Sequence, residues 1–230
     1  NATRVDWTLK AAQKGGFTHF MLKEIHEQPR AVEQTLANRL VNGRITFDAR
    51  TTRFLGTLSP QEKLVIIGCG TAYHAGLVGE YMLEEFAHLA VDVDLASEFR
   101  YRGPMLDRHT TVIAITQSGE TADTLAGVKM AKAHGAKVLA VCNVMGSSIA
   151  READAVLYTH AGPEIAVAST KAYTSQLTAL ALLTLHLARK RKRLPPAQIT
   201  RLIEGLARLP TVLERTLAIE PAVKAVAARY

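Results

Sequence analysis

Thr111-Val112-Ile113-Ala114-Ile115-Thr116-Gln117-Ser118-Gly119-Glu120-Thr121 begins as an apolar, β-branched run and ends as a short polar turn. The first half has the continuous apolarity of a strand buried on both faces, as in parallel sheets. The second half opens a helical pattern over about 121–134. Four more short runs repeat this alternation: Leu64-Val65-Ile66-Ile67, Val91-Asp92-Val93-Asp94-Leu95, Lys137-Val138-Leu139-Ala140-Val141 and Ala155-Val156-Leu157-Tyr158. Helical patterns at about 72–89 and 147–152 fill other gaps. Strand and helix in turn predict an α/β domain with a doubly wound parallel sheet of five strands between helices. The polar alternation of Asp92 and Asp94 places the second strand near an edge.

Outward from this centre the chain is helical. Ile25, Val32, Leu36 and Leu40 stand at helix-like spacing and predict helix over about 18–41, after a lead-in segment or linker at 1–16 without a strong period. Downstream of a loop with Gly162-Pro163, a long helix is predicted over about 169–190. Pro195-Pro196 separates it from a last helical stretch at about 197–228. No internal repeat is visible. The domain division read from this pattern is a linker and helix at 1–45, the α/β domain at 46–190 and a helical linker at 191–230.

Bulk properties set the class. The 230 residues are 48% hydrophobic and 21% charged, enough for a sizeable core and against global disorder. No apolar run of about 18 residues occurs, so no membrane span is predicted. The start, Asn1-Ala2-Thr3-Arg4, has neither a signal-peptide layout nor an initiator Met, which reads as a piece of a longer, cytoplasmic protein. Cys69 and Cys142 end apolar runs and read as small buried hydrophobes in a reduced setting, not as a disulfide framework or metal site. The net charge is +7, with its densest run at Arg189-Lys190-Arg191-Lys192-Arg193. Cations at a helix C-terminus complement the dipole, and no aromatics interleave to stack bases, so nucleic-acid binding is not predicted.

Three strand-to-helix turns could carry chemistry. At Thr116–Thr121 a helix start offers free N–H groups and partial positive charge, which suit a phosphate. Ser118 and Thr121 add hydroxyls. Helix capping by the same hydroxyls is an equal reading, and Glu120 and Asp123 would satisfy the dipole without a ligand. At Gly68-Cys69-Gly70-Thr71-Ala72, Tyr73 stands where a dinucleotide fingerprint needs its third glycine, so no nucleotide cofactor is predicted. Thr71 is either a polar contact in a compact pocket or part of a structural turn. In Glu164-Ile165-Ala166-Val167-Ala168-Ser169-Thr170-Lys171, Ser169 or Thr170 reads as a helix cap. Lys171 opposes the dipole there and calls for a partner, Glu164 or an anionic ligand. His74 reads as a surface or packed residue, and Glu98 as either a sugar contact or a surface group. No Ser-His-Asp set, metal cluster, P-loop or catalytic acid–base pair is visible.

Four motifs in order resemble one family. They are Phe-Thr-His-Phe-Met-Leu-Lys-Glu-Ile-His-Glu-Gln-Pro at 17–29, Ala-Ser-Glu-Phe-Arg-Tyr-Arg at 96–102, Gln-Ser-Gly-Glu-Thr-Ala-Asp-Thr-Leu-Ala at 117–126 and Ala-Gly-Pro-Glu-Ile-Ala-Val-Ala-Ser-Thr-Lys-Ala-Tyr-Thr-Ser-Gln at 161–176. Together they are similar to the isomerase half of the glucosamine-6-phosphate synthases (glutamine:fructose-6-phosphate aminotransferases). The resemblance implies a sugar isomerase (SIS) fold, the first of two such domains, with fructose-6-phosphate or glucosamine-6-phosphate as ligand and no cofactor. It implies phosphate contacts at Gln117, Ser118 and Thr121 with Thr116 alongside, and sugar contacts at Thr71, Val167 and Ser169. Thr116 and Ala72 stand where the family often has Ser. The family's glutaminase domain, and the Glu, Lys and His credited with isomerisation in its second SIS domain and tail, have no counterparts in this sequence. The chain alone is therefore expected to bind and not to turn over, with the glutaminase and second SIS domains as partners within a parent chain, and to form a homodimer. A non-catalytic phosphosugar-sensing module is the alternative.

Overall fold

The structure is a computed structural model that describes residues 13–230; residues 1–12, most of the expected lead-in segment, lie outside the described residues. The helix expected over 18–41 is instead two helices and half a hairpin. Helix α1 (Phe20–His26) and α2 (Gln28–Leu36) break at Glu27. Pro29 has no N–H for the Ile25 carbonyl four residues back, and the Gln28 side-chain amide donates to it instead (3.1 Å). After α2, strands β1 (Leu40–Val41) and β2 (Arg44–Ile45) pair antiparallel. Their turn is Asn42-Gly43, both with positive φ, the chemistry of a two-residue hairpin. Helix α3 (Ala49–Gly56) follows, capped by Asp48, whose carboxylate accepts the Arg50 and Thr51 N–H groups at 2.9 Å each.

The five apolar runs become β3 (Lys63–Gly68), β4 (Val91–Leu95), β5 (Thr110–Thr116), β6 (Lys137–Cys142) and β7 (Ala155–Tyr158). They form one parallel sheet in the order β4-β3-β5-β6-β7, with β4 at an edge as its aspartates predict. Both aspartates hold cations there: Asp92 pairs with Lys63 and Asp94 with Arg102, each at 2.8 Å. Between strands run α4 (Thr71–Ala87), α5 (Ala96–Tyr101), α6 (Ala122–Ala133) and α7 (Ser148–Glu152), and α8 (Lys171–Lys190) leaves β7.

Alternate residues of each strand point to opposite layers. Leu64, Ile66, Ile113, Ile115, Leu139 and Leu157 pack with α4 and α8. Val65, Ile67, Val112, Ala114, Val138 and Val156 pack with α5, α6 and α7. Full burial of such side chains contributes about 1.5–3 kcal/mol each. Helix α4 lies close on the sheet because Gly76 has no side chain; a Cβ there would stand 2.9 Å from Ile66 Cγ2 and 3.1 Å from Val93 Cγ1.

The last helical stretch divides into α9 (Pro196–Leu217) and α10 (Glu220–Ala227), because Pro221 cannot donate to the Leu217 carbonyl. Ile199 and Ile203 of α9 pack on Leu185, while α10 buries nothing. Of the basic run, Lys190 donates to the Leu55 carbonyl and Arg191 to those of Ala87 and Pro60. Lys190 and Arg191, at the C-terminal end of α8, thus reach carbonyls at the ends of α3 and α4 and in the loop after α3. Among the described residues, no helix is long and apolar enough to cross a membrane.

Candidate functional site

The crossovers fix where a ligand can sit. Strand β3 leads through α4 to β4 on one side, and β5 leads through α6 to β6 on the other, with α4 and α6 on opposite faces. The winding therefore reverses between β3 and β5, and the crevice at their carboxyl ends is the switch point where open α/β sheets take ligands. Thr71 opens α4 on one bank of that crevice, and Thr116–Thr121 runs along the other.

The 116–121 turn is tightly specified. Thr116 is buried; its hydroxyl accepts the Gly119 N–H (3.1 Å) and lies 3.5 Å from the Thr121 hydroxyl. Gly119 adopts φ +71, and a Cβ on it would lie 2.0 Å from Ser147 Oγ and 2.4 Å from Ser147 Cβ. No other residue fits. From outside, the Gln117 carbonyl accepts the Asn143 N–H (3.3 Å), the Gly119 carbonyl accepts the Ile149 N–H (3.0 Å), and the Glu120 carboxylate accepts the Ser148 N–H (2.8 Å). The Ser148 N–H holds the Glu120 carboxyl below its ordinary range. The neighbouring β6–β7 crossover thus braces this turn at three points.

Neither hydroxyl caps α6. Thr121 occupies the N-cap position without a side-chain cap bond, and Ser118 accepts instead from the Glu120 N–H (3.2 Å), ahead of the helix. Asp123, in the first turn, faces Arg100 at 3.0 Å. Gln117, Ser118 and Thr121 are half-buried, placed between solvent and the sheet.

Val167 and Ser169 sit on the β7–α8 connection. Val167 is fully exposed, and the Ser169 hydroxyl is buried without a partner. The connection is pinned at its start by Asn143, which follows β6: its side chain accepts from the Thr159 hydroxyl (3.1 Å) and the Ala161 N–H (2.8 Å) and donates to the Gly162 carbonyl (2.7 Å). Helix α8 is capped neither by Ser169 nor by Thr170. The Glu164 carboxylate accepts the Thr170 and Ala172 N–H groups at Oε1 (2.9 and 3.1 Å) and is not the partner of Lys171. Lys171 is 3% exposed and pairs with Glu27 of the α1–α2 junction at 2.6 Å. His74 is exposed against the Tyr73 ring, and Glu98 is exposed in the first turn of α5.

The seven residues Thr71, Thr116, Gln117, Ser118, Thr121, Val167 and Ser169 thus lie on the β3–β4 and β5–β6 crossovers and the β7–α8 connection, all following carboxyl ends of the parallel strands. None lines the cavity of about 1060 Å³ bounded by α2, the start of α3 and the β6 and β7 exits. Asn143 and Glu164 were not singled out as supports by the sequence. The one visible sign of Asn143 is an amide placed directly after an apolar strand.

Comparison with known proteins agrees with this architecture. The sequence profile described as SIS domain matches residues 57–186. Glutamine–fructose-6-phosphate aminotransferase (isomerizing) of Symbiobacterium thermophilum is 52% identical over 223 residues, covering 96% of this chain and 36% of that protein. The Mycobacterium tuberculosis protein of the same name is 51% identical over 231 residues, 98% of this chain and 36% of that one. The chain therefore spans little more than a third of the length of these curated relatives. Among solved structures, the C-terminal domain of glucosamine-fructose-6-phosphate aminotransferase from Francisella tularensis superposes with a TM-score of 0.86 at 38% identity, over 93% of this chain and 60% of that one. With more than half of its length matched to that profile, the chain belongs to the SIS domain family.

Proposed function

We propose that this chain is the sugar-phosphate-binding half of the isomerase module of a glutamine:fructose-6-phosphate aminotransferase, which turns fructose-6-phosphate and glutamine-derived ammonia into glucosamine-6-phosphate. The observation that supports it most is the 116–121 turn at the β3/β5 switch point. Its hydroxyls do not cap α6, and among the described residues no side chain accepts from the first N–H groups of α6. Such a helix start is suited to a phosphate dianion. Gln117, Ser118 and Thr121 hold the phosphate in this reading, with Thr116 shaping the turn, and Thr71, Val167 and Ser169 face the sugar.

Proton transfer between the sugar's C1 and C2 needs a base within hydrogen-bond reach of the carbon. The carboxylates nearest the turn are already engaged, Glu120 by Ser148 and Asp123 by Arg100. The chain by itself accordingly binds without converting; formation of glucosamine-6-phosphate by the purified chain with ammonia supplied would contradict this. The same reading makes the protein a homodimer, which sedimentation at high concentration tests.

Calorimetric titration with fructose-6-phosphate, fructose and inorganic phosphate tests the site. Fructose-6-phosphate is expected to bind well above fructose, and Ser118→Ala to weaken it by about 1 kcal/mol or more, at least the net worth of a typical hydrogen bond. Equal binding of fructose and its phosphate would remove the phosphate site from this turn.

A further inference from the structure

The motif at 17–29 runs through α1 into α2, and three of its polar side chains, Glu24, Glu27 and Gln28, reach the β7–α8 connection and the first turn of α8. Glu24 is 1% exposed. Its carboxylate accepts the Ile165 N–H at 2.6 Å and the Ala166 N–H at 3.3 and 3.2 Å, one distance to each oxygen. A buried carboxylate is tolerated only where such donors replace its water. The neighbouring residues of the motif hold the same region: Glu27 pairs with Lys171, and the Gln28 side-chain oxygen accepts from the Thr174 hydroxyl (2.5 Å).

The connection itself has no regular structure between Thr159 and Thr170. Asn143 fastens its first residues, and Glu164 folds back onto α8. Between these two anchors the Glu24 carboxylate grips Ile165 and Ala166. Val167 follows the gripped pair directly, and Ser169 comes two residues later.

We propose that Glu24 is a positioning residue for ligand: its carboxylate fixes the 165–166 backbone and thereby presents Val167 and Ser169 to the sugar end of a phosphosugar. This rests on the sugar-facing role given to those two residues above. The device is a clamp built by a distant helix on a loop, of the kind that keeps binding groups within a fraction of an ångström of their working geometry. It gives Glu24 an effect on the sugar and none on the phosphate, which the 116–121 turn holds independently.

That asymmetry is the test. The chain, Glu24→Ala and Glu24→Gln are titrated with fructose-6-phosphate and with inorganic phosphate, and amide hydrogen exchange is followed at 165–170. Glu24→Ala is expected to weaken fructose-6-phosphate tenfold or more, to leave phosphate within twofold, and to speed exchange at Ile165 and Ala166. Glu24→Gln keeps one acceptor oxygen but loses the charge, and should fall between; it carries the comparison if Glu24→Ala does not fold. Wild-type affinity for fructose-6-phosphate in the variants, or parallel loss of both ligands, overturns the proposal. If the unmodified chain binds phosphate but not the phosphosugar, the sugar-site reading fails first. Unchanged exchange at 165–166 would then dispose of the clamp as well, and faster exchange would retain it as a clamp on the loop.

Discussion

Gly119→Ala is expected to destabilise the fold by about 2–5 kcal/mol and to abolish phosphosugar binding at ligand concentrations where the unmodified chain saturates. Two costs add. At φ +71 an L-residue carries a backbone penalty of about 1–2 kcal/mol. The new methyl would also stand 2.0 Å from Ser147 Oγ, 2.4 Å from Ser147 Cβ and 3.0 Å from Cys142 Sγ, which forces an overpacking rearrangement of about 1–3 kcal/mol. Ser147 can be tested separately. It stands at the N-cap of α7 without making a cap bond, and among the described residues its hydroxyl's one hydrogen-bond partner is the buried Cys142 thiol at 3.4 Å, so Ser147→Gly should cost little. In the Gly119→Ala/Ser147→Gly double variant the steric part is relieved and the backbone part stays, leaving a deficit of about 1–2 kcal/mol. Urea denaturation of the four proteins reads the cycle. Strict additivity would mean that the turn yields elsewhere and that Gly119 is not held by Ser147.

The same turn shows what a sequence can and cannot declare. Its strand was legible because Val112-Ile113-Ala114-Ile115 is an unbroken apolar run, three of its four residues β-branched, and its turn because a polar segment with Gly119 follows directly. Strand β4 could be placed at the edge because Asp92 and Asp94 need cations that a central strand has no room for, and Lys63 and Arg102 supply them. Helix α3 escaped notice because it is eight residues long with only Phe54 and Leu55 as large apolar residues, although Asp48 marks its start and Asn42-Gly43 marks the hairpin before it. The supports of the site were illegible for a different reason. Glu24 and Ile165 are 141 residues apart, and nothing local in either segment names the other. Lys171 did announce itself as a cation in the wrong place on its helix, but Glu164, its apparent partner in sequence, turned out to be the cap of α8, and the partner came from α1–α2.

That partnership gives the second large effect: Glu27→Gln is expected to destabilise the chain by about 3 kcal/mol, and Lys171→Met by less. Glu27 bridges two cations, Lys171 Nζ at 2.6 Å and Lys23 Nζ at 3.4 Å, with side chains only 3% and 9% exposed. Neutralising Glu27 leaves both ammonium groups with one acceptor fewer, and Lys171 additionally faces the positive end of α8. Removing Lys171 leaves Glu27 with Lys23 and, at 30% exposure, with water as well, so about 1–2 kcal/mol is the expected loss. Glu27→Gln/Lys171→Met places an apolar chain of similar length where the buried ammonium was, and should be more stable than Glu27→Gln alone. Denaturant midpoints of the three variants decide the matter. If Lys171→Met proves the worse single change, the cation and not the carboxylate is the indispensable member, and an anion other than Glu27 must be drawing it to the start of α8. If the double variant recovers stability but still binds fructose-6-phosphate weakly, the pair serves to hold the first turn of α8 behind Ser169, and its retention as a charged pair is owed to the site and not to the fold.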